Sequence, residues 1–265
     1  VTGIEPRDAV VVVTGAGSGI GRAVALRYAD LGAVVIATDI DEASAKDTAE
    51  RCRTRGARAG AYLCDVADAD AVRRLSETVA RDVGDVDVLV NNAGVGVGGS
   101  FLDTTEEDWT WLRSINLDGV IHGCRYFGAP MVERRRGQVV NVSSAAAYIP
   151  SSRMATYCAT KAAVLMFSRS LRADWARNGV GVSAVCPGFI NTPIVFNTRL
   201  RGSAVAERDF VAKVFRMTHS PDAVARVVTK VATRNRPMSS AGWEAQLSYH
   251  TLRMVPILNG LVARL

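Results

Sequence analysis

An α/β fold, with one doubly wound parallel sheet in a single domain, is the class this sequence predicts. Short β-branched runs alternate with longer helical patterns through the first two thirds of the chain. Several of those runs are apolar almost throughout, as strands covered on both faces are. The first run leads into a glycine-rich turn that opens a helical pattern. In order, strands are expected at Ala9–Thr14, Val34–Thr38, Ala59–Cys64, Val86–Val90, Gln138–Val142 and Val180–Cys186. Helices are expected between them at Ile20–Leu31, Glu42–Arg55, Ala69–Val83, Thr105–Glu133 and Ala155–Asn178. No linker, repeat or low-complexity tract interrupts residues 1–265, hence one domain.

After Pro187 the alternation weakens. Phe189–Met217 mixes polar with bulky apolar residues, and Ser220-Pro221-Asp222 reads as an N-cap with proline at N1, starting a helix to about Thr233. Arg236–Gly242 is a poor seventh strand. The tail from Trp243 to Leu265 is rich in Leu, Met and Val but broken by Arg253, Pro256 and Asn259. It reads as a docking surface, a lid or a peripheral membrane contact.

Composition narrows the function classes. With 48% hydrophobic and 22% charged residues the chain is ordinary globular protein. At this size roughly three quarters of the unfolded surface is buried, so neither metal nor disulfide is needed for stability. Lys plus Arg number 32 against 26 acids, but only Lys46, Lys161, Lys213 and Lys230 are lysines, and the positives are spread in short clusters such as Arg134-Arg135-Arg136. No basic stripe with interleaved aromatics points to nucleic acid. Five cysteines (Cys52, Cys64, Cys124, Cys158, Cys186) show no C-x-x-C spacing, and His122, His219 and His250 form no H-E-x-x-H. A reducing, cytoplasmic setting without a metal is expected. No charged-then-apolar leader and no run of about 20 apolar residues is present, so secretion and membrane spanning lack support. The chain begins at Val1 without methionine, as a processed chain or an excised domain would.

The segment Gly15-Ala16-Gly17-Ser18-Gly19-Ile20-Gly21 lies between a strand and a helix. Such a turn lets backbone N–H groups and a helix N-terminus meet a pyrophosphate. The spacing is T-G-x-x-x-G-x-G and not the literal G-x-G-x-x-G. Asp39 ends the second strand, where an acid hydrogen-bonds adenosine ribose hydroxyls. A 2′-phosphate about 4 Å from that carboxylate costs on the order of 4 kcal/mol per charge pair at an effective dielectric near 20. No basic residue occupies Ala16, Ser18 or Ile40, so NAD is expected over NADP. Asp41 is a competing assignment for the acid.

Tyr157 and Lys161 lie four apart in an expected helix, hence on one face. To act as a base near neutrality a phenol must come down about three pH units from about 10, or about 4 kcal/mol. An ammonium about 4 Å away supplies that order of energy. Ser143 and Ser144 end the fifth strand, at the edge where open α/β sheets bind ligands. Each motif alone also reads as a turn, a cap or a surface pair.

Six motifs in order resemble the classical short-chain dehydrogenase/reductase family, from about Asp8 to Thr233. They are Thr14–Gly21, Asp65-Val66, Asn91-Asn92-Ala93-Gly94 with Asn116, Asn141-Val142-Ser143-Ser144, Tyr157-x-x-x-Lys161, and Pro187-Gly188 followed by Thr192. The resemblance implies a Rossmann-type fold in which Tyr157 is the general acid/base and Lys161 lowers its pKa. It implies that Ser144, at the family's separation before Tyr157, orients the reacting oxygen, and that Asn116 holds a water joining Lys161 to solvent. Cofactor contacts are implied at Gly15, Gly17, Ser18, Gly19, Ile20, Asp39, Asp65, Val66, Asn92, Ala93, Gly94, Tyr157, Lys161, Pro187, Gly188, Ile190 and Thr192. Asn91 would support the sheet centre.

The implied activity is hydride transfer between nicotinamide and a secondary alcohol or ketone, by NAD or, as the alternative, by NADPH. A non-catalytic dinucleotide sensor is the reading from another class, but such proteins typically lose the tyrosine or lysine, and both are here. Residues 189–220 would form a helical cap. Its Phe189, Ile194, Val195, Phe196, Phe210, Val214, Phe215 and Met217 suit a lipophilic substrate. Gly98–Thr105, Ala145–Tyr148 and the apolar tail resemble actinobacterial members, including domains fused to epoxide-hydrolase-like α/β-hydrolases. Homodimers or homotetramers through the two long helices are implied as well.

Overall fold

The computed structural model describes residues 1–255, so the last ten residues of the expected tail lie outside the described residues. Seven parallel strands form one sheet. They are β1 (Val10–Thr14), β2 (Val34–Asp39), β3 (Ala59–Leu63), β4 (Val88–Asn91), β6 (Gly137–Val142), β7 (Val180–Pro187) and β9 (Met238–Ala241), ordered β3-β2-β1-β4-β6-β7-β9. The other two strands, β5 (Gly96–Gly98) and β8 (Thr198–Leu200), form a separate parallel ribbon. Helices are α1 (Gly19–Asp30), α2 (Glu42–Arg53), α3 (Ala69–Asp82), α4 (Glu106–Arg113), α5 (Gly119–Glu133), α6 (Ala155–Trp175), α7 (Arg208–Arg216), α8 (Pro221–Thr233) and α9 (Trp243–Met254).

Strand β1 shows why its run is all valine. Val11 and Val13 enter a core with Val24 and Tyr28 of α1 and Val224 and Val228 of α8. Val10 and Val12 enter the opposite core with Leu75 of α3, Phe127 of α5 and Val164 of α6. Both faces are covered, so alternate positions need no polar residue. After β1 the chain builds β2 and β3 on one side and then crosses to β4 on the other. That reversal opens a crevice at the carboxyl ends of β1 and β4, where such sheets hold ligands.

Several expectations are corrected. Thr105–Glu133 is not one helix, because a π-helical turn, Ser114–Asp118, separates α4 from α5. Asn116 in that turn has its amide drawn onto the Val95 backbone, and the extra residue leaves the apolar spacing readable as one helix. Arg236–Gly242 does supply a seventh strand, pairing Ala184 with Met238 through Pro187 with Ala241. An edge strand needs only a short, half-exposed run, here Met-Ser-Ser-Ala. The helix expected to run to Asn178 ends at Trp175 and tightens into a 3₁₀ turn before Gly179, which sits at φ +72°. The described part of the tail is α9, held on its own chain by Tyr148, which donates to the Ala245 carbonyl at 2.9 Å and meets the Tyr249 ring edge-on at 5.2 Å.

Candidate active site

The glycine turn is shaped by contacts that exclude side chains. Gly15 and Gly19 adopt φ of +62° and +51°. A Cβ on Gly17 would stand 2.7 Å from Ser44 Cβ and 2.8 Å from an Asp39 carboxylate oxygen. The turn is braced from outside: Asn92 donates to the carbonyls of Thr14 (2.9 Å) and Gly15 (3.2 Å), and Thr48 to that of Ala16 (2.9 Å). Arg22 bonds the Gly17 carbonyl and pairs with Asp47 at 2.9 Å. Ser18 is the extended N-cap of α1, and its hydroxyl caps no backbone amide. Ile20, in the first turn of α1, packs against the core. The turn opens directly into α1, so its backbone and the helix N-terminus are placed together as a dinucleotide pyrophosphate requires.

The two candidate acids part company. Asp39 is half-buried, accepting from Gly17 N at 2.8 Å and Asp41 N at 3.0 Å, so its carboxylate stands at the turn. Asp41 is the N-cap of α2, accepting from the amides of Ala43 and Ser44 and the Ser44 hydroxyl, which holds its carboxyl below the ordinary value. Asp65 uses one oxygen on the Ala67 amide at 2.9 Å. Val66 is buried and its carbonyl accepts from His122 Nδ1 at 2.9 Å.

At the end of β4 the Thr14 hydroxyl accepts from the amides of Asn92 (3.0 Å) and Ala93 (3.1 Å), tying β4 to β1. Gly94 then brings two chemical groups together. A Cβ there would lie 3.2 Å from Asn116 Oδ1 and 3.4 Å from Lys161 Nζ. Asn116 is fully buried, its amide accepting from Val95 N and donating to Val95 O, both at 2.9 Å. Deeper in, Asn91 donates to Asn141 (2.9 Å) and Asn141 to Ser168 (2.9 Å), a polar chain fixing α6 to the sheet centre.

Ser144, Tyr157 and Lys161 meet where β6 ends. Lys161 is buried, donates to the Val142 carbonyl at 3.2 Å and holds its ammonium 5.7 Å from the centroid of the Tyr157 ring. The Ser143 hydroxyl donates to the Lys161 carbonyl at 2.8 Å and so secures α6, whereas the Ser144 hydroxyl stands beside the phenol. The expected lowering of the phenol is reversed here. Burial pushes Tyr157 up to about 12, only partly offset by the neighbouring Ser144 hydroxyl, and burial pulls Lys161 down to about 8. Two groups taken out of water each resist charge, and the ammonium's stand-off over the ring leaves burial dominant.

The segment expected to form a cap, residues 189–220, follows directly on this edge. Pro187 ends β7 beside Ala241, and Gly188 N donates to the Ala241 carbonyl at 2.8 Å. Ile190 is buried and bridges to His219, and Thr192 lies against the turn, since a Cβ on Gly19 would sit 3.2 Å from Thr192 Cγ2. Beyond Thr192 a cavity of about 190 Å³ is lined by Pro193, Val195, Phe196, Ala212 and Phe215, with Asn191 and Arg216.

Two anchors of the cap escaped the sequence reading, because each joins residues far apart in the chain. Asp108, fully buried, takes Arg201 through two bonds of 2.7 Å and Arg199 at 3.3 Å, while Arg199 stacks on Trp111 at 3.9 Å. Glu244 of α9 accepts from Phe189 N at 3.2 Å and pairs with His219 at 2.8 Å. The arginines hold the Asp108 carboxyl far below its ordinary range, so its stabilising effect is present at neutral pH and lost as pH falls into the acid range. Asp108→Ala is expected to cost about 2 kcal/mol, the worth of its charge-assisted hydrogen bonds to arginines that stay solvated, lowering the melting midpoint by about 5 °C in a thermal scan. An unchanged midpoint would show the clamp to be idle.

The short chain dehydrogenase family model matches residues 9–201. The chain belongs to this family. Within it, the probable oxidoreductase EphD of Mycobacterium tuberculosis is 42% identical over 97% of this chain and 45% of its own length. The chain thus spans less than half the length of that curated relative. A short chain dehydrogenase/reductase of Burkholderia phymatum in complex with NAD superposes with a TM-score of 0.88 at 31% identity, covering 96% of this chain and 95% of the other. A gluconate 5-dehydrogenase of Burkholderia cenocepacia, in complex with NADP and tartrate, gives 0.79 at 26% identity over 92% and 98%. The short chain dehydrogenase family is one of oxidoreductases that use a nicotinamide dinucleotide, and the glycine cradle fits that group.

Proposed function

We propose that this chain oxidises lipophilic secondary alcohols with NAD, or reduces the matching ketones in reverse, with Tyr157 exchanging the substrate's proton. One observation carries the reading: Ser144, Tyr157 and Lys161 converge at the strand ends beside a glycine turn faced by the Asp39 carboxylate. A bound nicotinamide dinucleotide supplies the hydride acceptor or donor. The chain's own residues do the positioning. Backbone N–H groups of Ser18, Gly19 and Ile20, at the start of α1, hold the pyrophosphate, and Asp39 accepts from the adenosine ribose. Asp65 and Val66 meet the adenine. Asn92, Ala93 and Gly94 wall the crevice, while Pro187, Gly188, Ile190 and Thr192 set the nicotinamide end.

Ser144 orients the reacting oxygen and Tyr157 takes or returns its proton. Lys161 offsets the charge on the phenolate, so the buried lysine and the partly buried tyrosine ionise as a pair where neither does so alone. Asn116 keeps the π-helical turn seated beside that ammonium and, on this reading, carries the water leading out to solvent. Support for a lipophilic substrate comes from the inner cap, where Pro193, Val195, Phe196 and Phe215 face a common cavity. Pairing of two copies through α4–α5 and α6, where Trp109 and Met166 stand exposed, belongs to the same proposal.

Titration of cofactor fluorescence tests the cofactor. NADH is expected to bind about a thousandfold more tightly than NADPH, and Asp39→Ala to shrink that ratio to about tenfold. Equal affinities in the parent protein would favour the NADPH reading. Turnover of medium-chain 2-alkanols well above that of short polyols checks the substrate class. Tight NADH binding without turnover of any alcohol or ketone would favour the sensor reading instead.

A further inference from the structure

The outer face of α7 has no part in the chemistry above. Ala212 is buried against the cap, with Val211 and Phe215 partly buried beside it. On the opposite side Phe210, Val214 and Met217 follow one another at i, i+4 and i+7, and are 70%, 42% and 83% exposed. A helix apolar on two sides calls for two partners, and the protein supplies one. On the covered side Phe189 meets Phe215 edge-on at 5.6 Å, which fixes that face to the chain's own cap segment.

Charge selects the second partner. Lys213 borders the apolar stripe and Arg208 and Arg216 stand at the two ends of α7, against one acid in the helix, Asp209. Among the described residues none of these three cations takes part in an ion pair. We infer that this face docks on an anionic lipid surface, with the stripe among the acyl chains and Lys213 and Arg216 at headgroup level. Self-association through the same face sets these cations against their own copies, which opposes it. No helix among the described residues is long and apolar enough to cross a membrane, so the contact is peripheral. The inference stands apart from the substrate: docking and turnover are separate measurements, and either can fail alone.

Sedimentation with vesicles tests it, using the full chain. Binding to phosphatidylglycerol–phosphatidylcholine vesicles is expected to exceed binding to phosphatidylcholine alone by about tenfold or more, and to fall when salt is raised from about 0.05 to about 0.5 M. The double variant F210E/M217E is expected to lose most of the binding at an unchanged melting midpoint, and the charge variant K213E to lose about fivefold. Equal binding to both vesicle types, or full binding by the double variant, overturns the proposal. So does an assembly in size-exclusion chromatography that F210E/M217E breaks apart without any vesicle binding, which would make the face a contact between copies.

Discussion

Tyr157→Phe is expected to lower kcat by about a thousandfold while leaving the NADH dissociation constant within about twofold of the parent value. The change removes one oxygen from a partly buried ring and leaves the glycine cradle, Asp39 and Thr192 untouched. Steady-state kinetics and fluorescence titration on the same preparation separate the two quantities. If the variant keeps a tenth of the activity, the proton leaves by another route and the assignment of Tyr157 is wrong.

Lys161→Met is expected to be equally inactive and yet more stable. Burial takes the ammonium from an ordinary 10.5 to about 8. At neutral pH this corresponds to about 3 kcal/mol spent keeping a charge out of water, since each pH unit is worth about 1.4 kcal/mol. The hydrogen bond to the Val142 carbonyl returns about 1 kcal/mol of that. A net gain of about 2 kcal/mol, or about 5 °C in the melting midpoint, is therefore expected at pH 7.

The pH dependence gives a second readout with a definite sign. Between about 8 and 10.5 the unfolded chain holds a proton on Lys161 that the native state lacks, so the parent gains stability as pH rises through that window. The methionine variant loses that slope. Tyr157 acts oppositely: its phenol is raised from 10 to about 12, so its contribution is lost as pH climbs from 10 toward 12. Denaturant melts at pH 7.5 and 9.5, flanking most of the lysine window and preceding most of the tyrosine one, isolate the first effect. A methionine variant less stable than the parent at pH 7 would mean that the ammonium is already compensated in the native site.

What the residues announced in advance, and what they concealed, has a physical pattern. Strands β1, β6 and β7 were legible because covering on both faces leaves long apolar runs, and Gly15 and Gly19 because positive φ favours a residue without Cβ. Tyr157 and Lys161 were legible as a pair because a helix places them on one face. Asp39 and Asp41 were not separable by letters alone, since the N-cap bonds of Asp41 depend on where α2 begins. The β5–β8 ribbon was hidden because Gly96-Val97-Gly98 has no alternation to read, and its partner lies about 100 residues on. The outward stripe of α7 was read as cap lining, because periodicity shows that two faces are apolar without showing which one the protein covers.

The two anchors of the cap bear on how a ligand is taken in. With Arg201 fixed to Asp108 and His219 fixed to Glu244, the residues from 202 to 218 are fastened at both ends before any guest arrives. A free strand of this length would surrender much of its wandering on closing over a guest. One already moored at two posts has far less to surrender, so more of the attraction between protein and guest survives as affinity.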